Sequence, residues 1–342
     1  MRELRCTAKG RLEWREVADP ELPGPQAALV RPISVARCEI DPLLITAGPV
    51  RAAEFAVGHE TIAEVVAIGP DVTGVRPGDL AAVSFQVSCG ACGRCRAGHT
   101  ANCERYPILS DYGMEPLSGV EYGGMLADLV VVPHANAMLA PIPPGLDPAD
   151  LASAADNVAD GYRAVAPHLS QQPGAPVLIA CHGSPSIASY AAQVALALGS
   201  AEVTFASNDK RFLDLAAELG ATPLLTDWGR RPGRWPIVVD CGQTQAGLHY
   251  AISCCEPEGI FQSVSWYPAA TTDLPLGKLY TLGIVFHIGR AHSAALTPAV
   301  IELAASGAIS PGAVTTMTID WEDAPDQYLA EAIKLVVTRD VS

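Results

Sequence analysis

Residues 176–206 read PVLIACHGSPSIASYAAQVALALGSAEVTFA. The apolar run Pro176–Cys181 has the length and character of a buried strand, and Ser186–Leu198 is an Ala/Leu stretch of helical length. A second apolar run, Glu202–Ala206, completes a strand–helix–strand unit. The alternation continues downstream with a helix over Lys210–Leu219, a strand over Pro236–Val239, and the segments Gly247–Cys254 and Ile260–Val264. Such alternation predicts right-handed βαβ units and a parallel sheet. Residues 1 to about 150 read differently. They are rich in Val, Pro and Gly, with short β-like runs at Ala28–Pro32, Thr61–Ile68, Leu80–Phe85 and Leu126–Val132, and turn signals such as Arg76-Pro77-Gly78-Asp79. This part predicts a β-rich barrel. Beyond about 290 the chain has one helical stretch, Pro298–Ala305, then Val314–Ile319 and Ile333–Val337.

The 342 residues suit two domains. Hydrophobic residues make up 49% and charged residues 17%, a composition that forms a core. The net charge of −15 argues against partners that are themselves polyanions, so neither nucleic acid nor an anionic membrane is expected. Apolar stretches such as Ala191–Leu198 fall far short of the roughly 20 residues that span a bilayer. Met1-Arg2-Glu3-Leu4-Arg5 carries no apolar signal core, from which a cytoplasmic protein is expected.

Ten cysteines are present, and four are bunched as Cys89-Gly-Ala-Cys92-Gly-Arg-Cys95 with Cys103 after seven further residues. With no export signal the cluster reads as metal-binding rather than disulfide-forming. Four thiolates suit a closed tetrahedral zinc site, which leaves no position for substrate and is therefore structural. A second constellation is spread out. Cys38 precedes Asp41, Gly58-His59-Glu60 follows twenty-one residues after Cys38, and Asp156 opens the βαβ part. One thiolate, one imidazole and one carboxylate leave zinc an open position, as catalysis needs.

Taken together, Cys38-x-x-Asp41, Gly58-His59-Glu60 with Gly69 and Val72, Gly78-Asp79, the four-cysteine lobe, Tyr122-Gly123-Gly124, and Asp156 five residues before Gly161-Tyr162 resemble the medium-chain zinc-dependent alcohol dehydrogenases over nearly the whole chain. The resemblance implies a GroES-like β-barrel catalytic domain (1–155 and 290–342, with the structural-zinc lobe at 86–105) and a doubly wound parallel-sheet Rossmann domain (156–289), with zinc in the cleft between them. It implies Cys38, His59 and Asp156 as ligands of a catalytic Zn²⁺, Glu60 as a mobile ligand, and Asp41 as acceptor from the second nitrogen of His59. It also implies hydride transfer between a nicotinamide cofactor and a small alcohol or carbonyl substrate, and a homodimer or homotetramer formed through Tyr280–Gly289.

Four positions depart from the family pattern. The glycine fingerprint is reduced: one register puts Gly183, Pro185 and Ala188 at its positions, another puts Cys181, Gly183 and Ser186 there. Ser184, Ser186 and the helix N-terminus remain as donors for phosphate. Ser207 stands where NAD-preferring relatives carry an acid and is followed by Asn208, Asp209, Lys210 and Arg211; Asp209 argues for NAD(H), but the missing carboxylate and the two cations make NADP(H) the expectation over NAD(H). Ile40 replaces the hydroxyl residue that starts the proton relay, and Asp160 stands where a threonine is usual. Asp160 is thus a candidate acid–base group. The missing relay also admits an alternative reading, a relative recruited to non-redox zinc chemistry such as a lyase, cyclase or hydration reaction.

Overall fold

A computed structural model describes residues 1–48, 54–267, 269 and 271–340. The chain divides into two compact units: residues 1–159, 292–305 and 311–342, and residues 160–291 with 306–310.

The second unit is built on a six-stranded sheet. Its strand order is Thr222–Leu225, Val203–Ser207, Val177–His182, Trp235–Gly242, Cys255–Ser263 and Val285–Ile288, all parallel. In chain order this is 3-2-1-4-5-6, a doubly wound sheet whose order reverses between Val177–His182 and Trp235–Gly242. Every residue of Val177–His182 is buried, which is why that strand reads as an unbroken apolar run and not as an alternation. The following helix, Pro185–Ala197, starts on a proline at its first position and is buried from Pro185 through Ala195. The helix Asn157–Gln171 runs against it. A Cβ on Gly161 would lie 2.8 Å from the Ala191 nitrogen, so the backbones meet where Gly161 has no side chain. Two strands escaped the periodicity reading. Thr222–Leu225 is a partly exposed edge strand containing Pro223, and Val285–Ile288 is the opposite, exposed edge. Half-exposed edges carry no continuous apolar signal.

The first unit holds a seven-stranded sheet. Its main path runs Met317–Asp320, Leu335–Thr338, Ala28–Ala36, Glu60–Ile68, Leu80–Val83 and Leu139–Pro141, with Val130–Val132 also paired to Ala28–Ala36. A smaller sheet joins Arg11–Glu16, Arg2–Ala8 and Phe55–Ala56. The C-terminal strand pairs antiparallel with Ala28–Ala36, so the end of the chain is stitched to the strand that leads into Cys38. The run Leu126–Val132 is a strand only over Val130–Val132. Leu126 instead bonds through its backbone to Leu4 and Val57. Val314–Ile319 divides into a 3-10 turn at Pro311–Val314 and the strand Met317–Asp320.

Two glycines set the backbone around His59. Gly58 has φ +89°, open to glycine at little cost. A Cβ on Gly124 would overlap the Val57 carbonyl. Gly124→Ala is therefore expected to destabilise the protein by about 1–3 kcal/mol through overpacking. Urea unfolding of the variant beside the wild type measures the loss, and an unchanged midpoint would refute this account of the turn.

Candidate metal centres

Two groups of soft and borderline donors come together in the first unit. The sulfurs of Cys89, Cys92, Cys95 and Cys103 lie within 4.8 Å of one another. Gly90 (φ +68°) and Gly98 (φ +84°) turn the loop, and Cys95 sits in the short helix Gly93–Arg96. Backbone N–H groups point at the sulfurs: Cys89 at Cys103 (3.4 Å), and Cys95 and Glu104 at Cys92 (3.4 and 3.5 Å). Donation from the N–H groups of Glu104 and Cys95 draws the Cys92 thiol down to about 6, whereas burial lifts Cys95 to about 12. Four adjacent sulfurs cannot all ionise unaided. A divalent cation lets them do so, and with no open position the group fits a structural zinc.

The second group is Cys38, His59, Glu60 and Asp156, whose ligand atoms also lie within 4.8 Å of one another and are all buried. Three separate segments supply them: the end of Ala28–Ala36 leads into Cys38, His59 immediately precedes the strand Glu60–Ile68 that begins with Glu60, and Asp156 immediately precedes the helix Asn157–Gln171. His59 Nε2 is 3.3 Å from Asp156 Oδ2, and His59 Nδ1 is 3.2 Å from Asp41 Oδ1. Neither pair is aligned as a hydrogen bond, so both ring nitrogens and Asp156 Oδ2 are buried with no hydrogen-bond partner. Burial pushes the Cys38 thiol far above its usual value. It also lifts the Glu60 carboxyl to about 7 against the opposing pull of Lys334. Burial lowers His59 as well, but Asp41 and Asp156 outweigh it and hold the imidazole well above its ordinary value. Orphaned polar atoms cost roughly 1–3 kcal/mol each. A cation coordinated by Cys38 Sγ, His59 Nε2 and Asp156 Oδ2 would engage the sulfur and the two orphaned atoms, Nε2 and Oδ2, and this S/N/O set fits zinc with one position open.

The surroundings contain groups that the sequence did not announce. The Asp41 carboxylate accepts from the Cys38 N–H (3.0 Å) and from the Tyr328 hydroxyl (2.7 Å). Glu60 is held 2.9 Å from the fully buried Lys334, which also donates to the Arg37 carbonyl (3.0 Å). Asn157 Oδ1 is 3.4 Å from Cys38 Sγ, and its Nδ2 donates to Glu39 (2.8 Å). Tyr328, Lys334 and Asn157 belong to no motif, since nothing in their local sequence marks a contact made across some 120 to 290 residues.

In the second unit the predicted phosphate and ribose residues flank the carboxyl ends of the sheet. Gly183 and Ser184 lead into the helix Pro185–Ala197, and Ser186 lies within it. Ser184 and Ser186 are buried. His182, which precedes them, is not open. Its ring packs over Gly242 and Gly247, its Nε2 is 2.8 Å from Asp240, and its Nδ1 accepts from the Thr244 N–H (3.2 Å). Ser207 is fully buried and accepts from the Asp209 N–H (3.2 Å). Lys210 and Arg211 point elsewhere: Lys210 is paired with Asp214 and Arg211 with Asp209, each at 2.7 Å. A cavity of about 640 Å³ beside them is lined by Asn208, Thr226, Asp227, Arg230 and Tyr250 among others. Asp160 is buried, and its Oδ1 accepts from Arg163 Nε (2.7 Å), while Arg163 also donates to the Gly289 carbonyl (2.9 Å).

The comparisons with known proteins agree with this geometry. The model of the alcohol dehydrogenase GroES-like domain matches residues 24–144. A probable zinc-binding alcohol dehydrogenase of Mycobacterium tuberculosis is 28% identical over 335 residues, 96% of this chain and 84% of that protein. An L-threonine 3-dehydrogenase of Bacillus licheniformis is 31% identical over 172 residues, half of this chain and 45% of that protein. Among solved structures, an alcohol dehydrogenase from Thermus sp. ATN1 superposes with a TM-score of 0.89 at 28% identity, covering 99% of this chain and all of that one. The fold and both metal-type clusters place the molecule among the zinc-dependent oxidoreductases. Over nearly its whole length the chain is similar to the medium-chain zinc-dependent alcohol dehydrogenases, and it is an enzyme of that class.

Metal release should separate the two groups. A chelator is expected to withdraw one zinc quickly, with loss of activity, and a second slowly, with unfolding. Cys95→Ser should remove the slow phase and lower Tm, roughly 2–4 °C per kcal/mol lost in a chain of this kind. Metal analysis giving fewer than two zinc ions per chain would contradict the assignment.

Proposed function

We propose that the enzyme interconverts an alcohol and its carbonyl compound at a zinc held by Cys38, His59 and Asp156, exchanging hydride with a nicotinamide cofactor carried by the six-stranded unit. The observation that carries this reading is the convergence of those three side chains from three segments, with His59 Nε2 and Asp156 Oδ2 buried and unpartnered. The metal supplies a Lewis acid that stabilises an alkoxide or polarises a carbonyl. Around it, Asp41 orients His59, and Lys334 restrains the Glu60 carboxylate. Ile40 packs against the apolar core and has no hydroxyl, so the alcohol proton leaves by a route that does not begin at that position. Arg163 donates both to Asp160 Oδ1 and to the Gly289 carbonyl, so the pair is read as ordering the chain near Gly289. The test is reduction of a panel of aldehydes and ketones, followed through nicotinamide absorbance. His59→Ala should lower kcat/KM by about a thousandfold or more, the several kcal/mol that a Lewis acid contributes. Wild-type protein loaded with zinc and inert toward the whole panel with both cofactors would overturn the proposal.

NADP(H) remains the proposed cofactor, on altered grounds. Ser207 leaves no carboxylate at the end of Val203–Ser207, and Arg230 lines the adjacent cavity together with Asn208. Lys210 and Arg211 are each paired with an aspartate, and Arg230 lines the cavity beside Asp227, so Arg230 is the proposed phosphate contact. Arg230→Ala is expected to raise KM for NADPH about tenfold or more and to leave KM for NADH within about twofold, since a hydrogen bond to a charged group contributes about 1.5–3 kcal/mol. Equal effects on the two cofactors would exclude Arg230 as the discriminating group.

A second copy of the chain is the proposed partner. The edge strand Val285–Ile288 and the neighbouring helix Leu276–Leu282 expose Leu276, Tyr280, Val285 and Ile288 beside an unpaired sheet edge. Among the described residues no helix is long and apolar enough to cross a membrane.

A further inference from the structure

We propose that Tyr328 is a positioning residue for the Cys38–His59–Asp156 metal centre, holding Asp41 so that Asp41 in turn holds both the His59 ring and the Cys38 backbone. The inference rests on the metal reading given above.

Tyr328 is fully buried and lies 287 residues beyond Asp41 in the chain. Its own position is set by two anchors. Its N–H donates to the Ala324 carbonyl (3.0 Å), and its carbonyl accepts from the Arg37 guanidinium (2.8 Å). Arg37 immediately precedes Cys38 and also donates to the carbonyls of Ala330 (2.5 Å) and Ala332 (3.1 Å). One guanidinium thus ties the loop carrying Tyr328 to the residue beside the candidate sulfur ligand. From there the phenol hydroxyl donates to Asp41 Oδ2 (2.7 Å), the oxygen that also takes the Cys38 N–H (3.0 Å). The other oxygen, Oδ1, is left to face His59 Nδ1 at 3.2 Å.

A carboxylate with one oxygen held by two donors cannot rotate about its last bond. Its second oxygen then has a fixed direction 3.2 Å from Nδ1, and this close negative neighbour favours a proton on Nδ1 and a ring tilt that leaves Nε2 for the metal position. Burial and the adjacent Asp41 charge keep the phenol protonated and hence a donor. Loss of the hydroxyl leaves Oδ2 with the Cys38 N–H as its remaining hydrogen-bond donor, and the ring loses its reference.

The test uses the full-length zinc protein and release of zinc to a chromophoric chelator, 4-(2-pyridylazo)resorcinol. The slow release from the four-cysteine lobe is an internal control. Tyr328→Phe should accelerate the fast phase about 10–100-fold and leave the slow phase unchanged. In an Asp41→Asn background the same substitution should change the fast phase by less than about twofold, because both act through one carboxylate. Cobalt(II) replacing the labile zinc gives a second readout, with the d–d bands of Tyr328→Phe displaced from those of the wild type. A purely structural tyrosine would instead lower Tm equally with and without metal, with both release phases and the cobalt spectrum unmoved, and that result overturns the proposal. Additive effects with Asp41→Asn also overturn it. Wild-type protein releasing zinc in the slow phase only would defeat the metal reading itself, and with it this inference.

Discussion

The Asp41 carboxylate is the constraint on which the metal centre depends. An ionised group taken wholly out of water costs several kcal/mol unless donors replace its hydration. Here the replacements are the Cys38 N–H, the Tyr328 hydroxyl and the adjacent charge of the His59 ring, whose Nδ1 lies 3.2 Å away. Together they hold the group below the usual carboxylate range in spite of its burial, with the adjacent imidazole as the chief favourable influence. Each compensating group also has a place in the site: one is the backbone of a candidate ligand, one is a candidate ligand, and one comes from the C-terminal segment. Satisfying the buried charge and assembling the centre are therefore the same event.

The second buried ion pair of this region follows the same logic. Lys334 and Glu60 are both fully enclosed, and Lys334 has a further acceptor in the Arg37 carbonyl. A bare buried pair contributes little net stability. What this one supplies is a defined resting place for a carboxylate next in sequence to His59. Its anchor, like Tyr328, lies in the segment that returns to pair with Ala28–Ala36. The fold of the first unit closes on itself at the point where its chemistry is held.

In the six-stranded unit two glycines make room for His182, the residue just before Gly183 of the reduced glycine fingerprint. His182 occupies a position where a smaller residue would leave space, and Gly242 and Gly247 make room for its ring. Asp240, fully buried, accepts from Ser263 (2.8 Å) and Tyr267 (2.9 Å) and lies 2.8 Å from His182. The carboxyl ends of Val177–His182, Trp235–Gly242 and Cys255–Ser263 are thus tied through one carboxylate at the point where the strand order reverses.

Local sequence determined a good deal here, because the forces involved are local. Cys89, Cys92, Cys95 and Cys103 lie within fifteen residues, so a short loop with permissive glycines brings their sulfurs together whatever the rest does. Buried parallel strands announce themselves as apolar runs, which made the βαβ alternation legible. Cys38, His59 and Asp156 were recognisable by order and spacing through family resemblance, although no short-range rule joins them. Tertiary structure decided the remainder. It left Arg230 on the cavity wall and placed Tyr328 and Lys334 against Asp41 and Glu60, whereas the pairs Lys210–Asp214, Arg211–Asp209 and Asp160–Arg163 are local. The physical reason is the range of the contact. A side chain's partner three or four residues away is set by helix or turn geometry, but one several hundred residues away exists only after the sheet has closed and excluded water from between them.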